Sequence, residues 1–214
     1  KFCKGEHLTF RGRASGPLNR LHAHGTMHTD FGKADLNVTL RNVIDPNRPL
    51  EIGGSASTER LDIGRIMAGI PVGECDMRTG LNATFAKDSL GIVIDSLYVD
   101  GLDVLGYKYS NIAAVGTFSQ DAFDGRIVCS DPNLNFLFQG IFSLSSKTKN
   151  ALYQFYANLG YADLHALNID KRGTSRISLT TQANFTRVSG EEILGNINVN
   201  GIVLEDEHGR HNVG

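Results

Sequence analysis

The stretch Leu134-Asn135-Phe136-Leu137-Phe138-Gln139-Gly140-Ile141-Phe142-Ser143-Leu144 decides the fold. Leu134, Phe136, Phe138, Gly140, Phe142 and Leu144 recur at every second position, so an extended strand puts them all on one face. A helix would need apolar spacings of three and four instead. The same alternation returns along the chain. Ala34, Leu36, Val38 and Leu40 oppose Asp35, Asn37, Thr39 and Arg41, and Met77, Thr79, Leu81, Ala83 and Phe85 oppose Asp76, Arg78, Gly80, Asn82 and Thr84. Ile177, Leu179, Thr181, Ala183 and Phe185 oppose Arg176, Ser178, Thr180, Gln182 and Asn184, and near the end Ile197, Val199, Gly201 and Val203 face away from Asn196, Asn198 and Asn200. One dry face and one wet face is the mark of antiparallel sheet.

Turn chemistry separates these runs at Ser15-Gly16-Pro17, Phe31-Gly32-Lys33, Asp45-Pro46-Asn47-Arg48-Pro49, Asp100-Gly101, Asp124-Gly125, Asp131-Pro132-Asn133 and Lys171-Arg172-Gly173. A spacing of roughly 8–12 residues predicts about a dozen strands of seven to ten residues, mostly joined to their sequence neighbours. The 214 residues suit one elongated sheet over 1–214, and Lys1-Phe2-Cys3-Lys4 opens in mid-pattern, as in a piece of a longer protein. Two short inserts break the alternation at helical spacing: Leu61, Ile63, Ile66 and Met67, with Thr58 or Glu59 as cap region, and the similar 162–167. Each leads into a strand ending in phenylalanine, Phe85 or Phe185, and then a glycine-led strand at Gly91 or Gly195. The constant offset predicts degenerate repeat units of about 50–150 and 151–214.

Twenty-one basic and 23 acidic side chains leave a net charge of −2, which recruits neither nucleic acid nor anionic lipid. No G-x-S-x-G elbow, P-loop or dinucleotide fingerprint occurs, so no enzyme, catalytic residue or cofactor is expected. Asp95 with Asp100 and Asp121 with Asp124 are expected at turns, and Glu205-Asp206-Glu207-His208 at a hairpin tip or polar tail. His22, His24 and His28 share a strand face and form a candidate metal triad, but Leu21, Ala23 and Met27 take the other parity. Solvated surface histidines are therefore the reading that base rates favour. Cys3, Cys75 and Cys129 fit three small buried thiols, or one disulfide and one thiol, and leave the compartment open. Asn37, Asn82 and Asn184 head glycosylation triplets on the wet face. The apolar face itself is either the core of a closed sandwich or barrel, or an open surface for a ligand with long alkyl chains.

A resemblance bears on that choice. The long meander, Leu61-Asp62-Ile63-Gly64-Arg65-Ile66, Asn82-Ala83-Thr84-Phe85 and Leu97-Tyr98-Val99-Asp100-Gly101 resemble the AsmA-like superfamily. Tyr107-Lys108-Tyr109-Ser110-Asn111-Ile112, then Gly116-Thr117-Phe118, then Ala122-Phe123-Asp124-Gly125 and Asp131-Pro132-Asn133-Leu134 are similar to the TamB-like translocation and assembly module proteins, particularly those of Bacteroidota. The resemblance spans about 50–205 and marks architecture, since these are turn and strand signatures. It implies an internal segment of a protein anchored in the inner membrane and crossing the periplasm as a β-taco, a sheet curled into a hydrophobic groove. It also implies phospholipid transport between the membranes, outer-membrane biogenesis, and an outer-membrane barrel partner engaged through regions outside this chain.

Physically, a trough lined by alternate residues of many strands keeps acyl chains dry without breaking backbone hydrogen bonds. The expected lining is Leu36, Val38, Leu40, Leu81, Phe85, Ile112, Phe118, Phe123, Ile127, Leu134, Phe136, Phe138, Phe142, Ile177, Leu179, Phe185, Ile197 and Val199. The alternatives are a scaffold for outer-membrane protein translocation and assembly, and a histidine-metal enzyme on a closed β fold. Closure or dimerisation of the isolated segment over its groove is a further expectation.

Overall fold

The computed structural model describes residues 7–66, 71–87, 89–119, 122–143, 151–171, 173–189 and 192–213. Expectations at Cys3, Met67, Asp121 and Leu144 lie outside the described residues. The chain divides into two compact units, Lys1–Asn111 and Ile112–Gly214. In the first, β1 (Leu8–Ser15), β2 (Arg20–Thr29), β3 (Gly32–Arg41), β4 (Leu50–Asp62), β5 (Val72–Ala86) and β6 (Ser89–Val104) pair in sequence order. The short β7 (Tyr107–Tyr109) folds back on β6, and a single helical turn, α1 (Ile63–Ile66), joins β4 to β5. In the second, β8 (Ile112–Ser119), β9 (Ala122–Asp131), β10 (Leu134–Ser143), β11 (Ala151–Asp163), β12 (Ser175–Ser189), β13 (Glu192–Asp206) and β14 (Gly209–Val213) again pair in order. The fold is thus the all-β antiparallel meander that the alternation predicts, with fourteen strands among the described residues. No helix among them is long and apolar enough to cross a membrane.

Several strands outrun the expected seven to ten residues. β4 and β11 have 13, β5, β12 and β13 have 15, and β6 has 16. Residues read as turn formers sit inside strands. Asp95 and Asp100 are the extra residues of two bulges in β6, where Leu81 pairs Ile94 but Gly80 pairs Ser96, and Met77 pairs Val99 but Asp76 pairs Gly101. Asp124 and Gly125 lie in the middle of β9. Residues that tolerate unusual backbone serve bulges as readily as turns, which is why composition misplaces them. The Asp206–Gly209 hairpin does close at 207–208, as expected.

Only the first insert is helical. Asp62, not Thr58 or Glu59, caps α1: its Oδ1 accepts the Arg65 N–H at 3.2 Å. The Thr58 hydroxyl is occupied across the ladder, donating to the Cys75 carbonyl at 2.8 Å and accepting the Met77 N–H at 3.1 Å. At 162–167 there is no helix, because Ala162 and Asp163 complete β11 and 164–168 form a turn. Asp163 caps it, Oδ1 accepting the Ala166 N–H at 3.0 Å, and the Leu167 N–H reaches the Asp163 carbonyl at 3.0 Å. Asn168 then takes φ 59°, and the Leu164 carbonyl receives both Ile169 and Asp170, which ends the coil after one turn.

Among the described residues neither unit has a second layer. Packing of any extent runs between neighbouring strands and from α1 to β5. The buried set is accordingly dominated by small side chains, including Ala34, Cys75, Ala83, Ala114, Cys129, Ala151, Ala162 and Ala183. Leu167 and Cys75 are the largest that are fully enclosed.

Candidate functional site

Cross-strand register shows which side chains share a face. In the first unit Leu36, Val38 and Leu40 of β3 stand opposite Gly25, Ala23 and Leu21 of β2 and opposite Ala56, Gly54 and Ile52 of β4. Leu81 and Phe85 of β5 join the same face opposite Gly54 and Leu50. In the second unit Ile112 and Phe118 oppose Cys129 and Phe123, Ile127 opposes Phe138, Phe123 opposes Phe142, and Phe136 opposes Cys129. Leu134 follows on that face, with Leu179 and Phe185 opposite Leu159 and Tyr153, Ile177 opposite Ala162, and Ile197 and Val199 opposite Ala183 and Thr181. Val203 leaves it: a register shift between Ser178 and Thr180 pairs Val203 with Ser178 and puts Leu204 opposite Ile177. A bulge reverses parity, so simple alternation fails beyond Asn200.

The structure gathers part of this set into one place. Phe118, Phe123, Ile127, Phe136, Phe138 and Phe142, with Phe155 and Ala157 of β11, enclose an open pocket of about 520 Å³ without a polar side chain. Phe155 and Ala157 are missing from the expected lining. Their signal is the run Tyr153, Phe155, Ala157, Leu159, obscured by Tyr156 on the other parity. Rings connect across four strands: Phe123 to Phe138 at 6.0 Å between centroids, Phe138 to Phe155 at 5.3 Å, Phe155 to Phe142 at 5.9 Å and Phe142 to Tyr153 at 5.1 Å. Tyr153 then stacks on Phe185 at 4.6 Å with the planes 14° apart. Phe138, held between two rings, keeps only 9% of its surface exposed, whereas Phe142 keeps 39%. Such geometry suits flat apolar contact and gives no directional bonding.

A seam of glycine underlies the pocket. Gly116, Gly125 and Gly140 are in register across β8, β9 and β10, and Gly140 faces Phe155. Gly116 at φ 147° and Gly140 at φ 134° occupy backbone essentially closed to other residues, and a Cβ on either would overlap the facing strand. Phe118, Phe123 and Phe142 lie on one side of the seam and Ile127 and Phe138 on the other. The glycines allow the local crease that turns both sets of side chains toward one hollow. In addition the Phe123 ring lies over Gly125, filling the space a side chain would take. Among the expected lining residues of the first unit, Phe85 lies at an open hollow of about 740 Å³ that it shares with Leu50 and the 42–49 loop, where it is 43% exposed and polar groups mix with the apolar ones.

The histidines fall where parity places them, on the polar face. His22, His24 and His28 pair with Thr39, Asn37 and Lys33, and His22 Nδ1 lies 3.4 Å from the Thr39 hydroxyl. Among the described residues no three histidine, cysteine or carboxylate side chains come together as a metal site. Ion pairs lace that face, with Lys33 to Asp35 at 3.2 Å, Arg41 to Glu51 at 3.3 Å and Arg78 to Asp100 at 3.4 Å. Being exposed, each contributes little. Asn37, Asn82 and Asn184 are exposed as expected. Cys75 and Cys129 are buried thiols, and burial pushes the Cys75 thiol up to about 11 and raises that of Cys129. Neither is placed for nucleophilic chemistry, which needs the thiolate. Comparisons with protein families, with curated proteins and with solved structures each return no match.

Proposed function

We propose that this chain is a segment of a periplasm-spanning β-groove protein of the TamB-like kind. It shields lipid acyl chains during phospholipid transport between inner and outer membranes and so supports outer-membrane biogenesis. The inner-membrane anchor and the contact with an outer-membrane barrel are assigned to regions outside this chain. The observation that carries the reading is the phenylalanine-lined hollow of the second unit, which no second layer of described residues covers. A concave, wholly apolar lining suits a ligand site, and its volume lies in the ordinary range for small ligands. Backbone donors and acceptors are spent in the ladders, so an alkyl chain meets carbon alone and slides without breaking hydrogen bonds.

The repeat reading is supported by geometry as well. β4, α1, β5 and β6 match β11, the 164–168 turn, β12 and β13 in order and length. Both leading strands shift register just before their end, between Thr58 and Leu61 and between Leu159 and Ala162. Both then close on an aspartate, Asp62 or Asp163, that caps the amide three residues on. Repetition of a unit that cannot cover its own apolar face is how an extended trough is built.

The test places a photo-crosslinking residue at Phe142 and, separately, at Gln139 on the opposite face, in the intact protein in cells. Lipid adducts at Phe142 and none at Gln139 are expected. Adducts at neither, or protein adducts alone at Phe142, reject lipid shielding, and the second of these supports the assembly-scaffold reading.

A further inference from the structure

One end of the first unit presents aliphatic side chains where turns ordinarily present polar ones. The Arg20 N–H closes on the Pro17 carbonyl at 2.8 Å, which puts Leu18 and Asn19 at the tip of the β1–β2 turn. The Asp45 N–H closes on the Asn42 carbonyl at 3.3 Å, which puts Val43 and Ile44 at the tip of the β3–β4 loop. The two tips are neighbours, joined by the Asn42 N–H on the Asn19 carbonyl at 3.0 Å. Leu18 is 60% exposed, Val43 46% and Ile44 63%. Turns favour Gly, Asn, Asp, Ser and Pro, so these three side chains do nothing for the turns that carry them.

The loop is firmly built. Asn42 Nδ2 donates to the Pro49 carbonyl at 2.9 Å, the Asp45 carboxylate accepts the Asn47 N–H at 3.0 Å, and the Arg48 N–H closes a second turn on the Asp45 carbonyl at 3.2 Å. Beside it, the open hollow at Leu50 and Phe85 leads onto the apolar face of the sheet. Cations surround the tips. Arg41 and Arg48 are matched by Glu51 and Asp45 at 3.3 and 3.4 Å, whereas Arg20 and Lys87 meet no carboxylate among the described residues. Arg20 also stands directly opposite Arg41 at the end of the β2–β3 ladder. Like charges so placed repel, and an anion between them removes that cost.

These features narrow the occupant. A small free anion would leave the aliphatic tips in water, and an alkyl chain alone would leave the arginine pair unrelieved. An anionic bilayer meets both needs: aliphatic side chains enter the acyl boundary while guanidinium and ammonium groups remain at the phosphates. The whole-chain charge of −2 does not oppose this, because a contact at close range responds to local charge. We propose that this end of the first unit docks on the surface of an anionic lipid bilayer, with Leu18, Val43 and Ile44 inserted and Arg20, Arg41 and Lys87 at the headgroups. In a protein that spans the periplasm, such a contact belongs to the stretch beside a membrane. It uses strand ends of the first unit and does not rest on the hollow of the second.

The test sediments the whole chain with vesicles of phosphatidylcholine and phosphatidylglycerol, and with vesicles of phosphatidylcholine alone. Binding to the mixed vesicles is expected, weakened by salt and by omission of phosphatidylglycerol. Val43→Ser with Ile44→Asn, both residues suited to a turn, should weaken it about tenfold or more. Leu105→Asn removes an equally exposed aliphatic side chain from the opposite end of the same unit and should change nothing. The chain has no tryptophan, so Ile44→Trp supplies a single reporter. Its emission should move to shorter wavelength on mixed vesicles, and that of Tyr98→Trp, on the polar face, should not. Binding of cis-parinaric acid by the Val43/Ile44 variant should be unchanged, which keeps this contact distinct from the second-unit hollow. Three results overturn the proposal: no binding to mixed vesicles, binding that survives the Val43/Ile44 pair of changes, or an Ile44→Trp shift that grows with protein concentration without vesicles. The last would make a second copy of the chain the occupant.

Discussion

Gly140 and Phe155 face each other across the β10–β11 ladder so closely that no side chain fits on the glycine: a Cβ there would overlap the Gln154 carbonyl oxygen and the Phe155 backbone. The same contact lets the sheet crease beneath the Phe118–Phe142 hollow. Gly140→Ala should therefore destabilise the chain by about 1–3 kcal/mol through backbone strain alone, and shrink apolar ligand binding with it. Gly91→Ala is the matched control, since nothing lies within 4 Å of its added Cβ and its φ is ordinary. That change should be neutral or stabilising by about 0.4–1 kcal/mol. Urea midpoints at unchanged m-value distinguish the two.

Cys75 is 2% exposed, and its thiol is pushed up to about 11, chiefly by burial and then by the neighbouring Asp76 carboxylate. At pH 8 iodoacetamide should label it only after unfolding, with no labelling of the native chain on the time scale that labels a free thiol peptide. The sign of the linkage follows. The folded pKa exceeds the ordinary 9.0, so the stability this thiol contributes is intact below pH 9 and is lost as pH rises toward 11. Cys75→Ala should flatten that alkaline arm of a stability profile.

Fold class was legible because the period of two runs unbroken over most of each strand between its bulges. Leu36, Leu81, Phe138 and Leu179 land on the apolar parity from alternation alone, since one buried or half-buried face tolerates no slip of register. What alternation cannot encode is where a strand absorbs an extra residue. Asp95 and Asp100 look like turn chemistry and Gly201 like one more step of the alternation, yet all three sit where β6 and β13 shift register, and the shift in β13 sends Val203 to the wrong face. The hollow was half legible. Its phenylalanines were in view, but the Gly116–Gly125–Gly140 seam that gathers them is a cross-strand coincidence, invisible until register is known. The 162–167 insert was misread because its apolar spacing fits one helical turn, and one turn is all that Asn168 permits.

Asp163 ties that turn to β12. Its carboxylate is held below the ordinary range first by the Ala166 amide and then by Arg176, whose Nε lies 3.1 Å away. A depressed carboxylate contributes stability that is present above its unfolded pKa and is lost as pH falls through the folded value. Asp163→Ala should cost about 1 kcal/mol at pH 7, the usual worth of a cap, and the gap to the native chain should close below about pH 4. Thermal or urea unfolding across pH 2–7 gives both curves; a gap that persists unchanged at pH 2 would show that lost packing, not the ionised cap, is responsible.

Charge placed along β10 separates folding from binding. Phe138 is clamped between Phe123 and Phe155, so Phe138→Glu buries an unpaired carboxylate and removes packing, and it should unfold the second unit at lower urea. A lost ligand in that variant would mean little. Phe142 keeps 39% of its surface in water and sits at the rim of the same hollow. Phe142→Glu can hydrate its charge while presenting it to any alkyl chain that enters. It should weaken binding of cis-parinaric acid about tenfold or more, since an apolar chain then shares its site with a hydrated anion. Its urea midpoint should shift far less than that of Phe138→Glu. Gln139→Glu, one residue away but on the wet face opposite Arg126 and Tyr156, should change neither quantity by more than about 0.5 kcal/mol. If Gln139→Glu weakened parinaric acid binding as much as Phe142→Glu, the probe would be responding to net charge rather than to a face, and the hollow would not be its site.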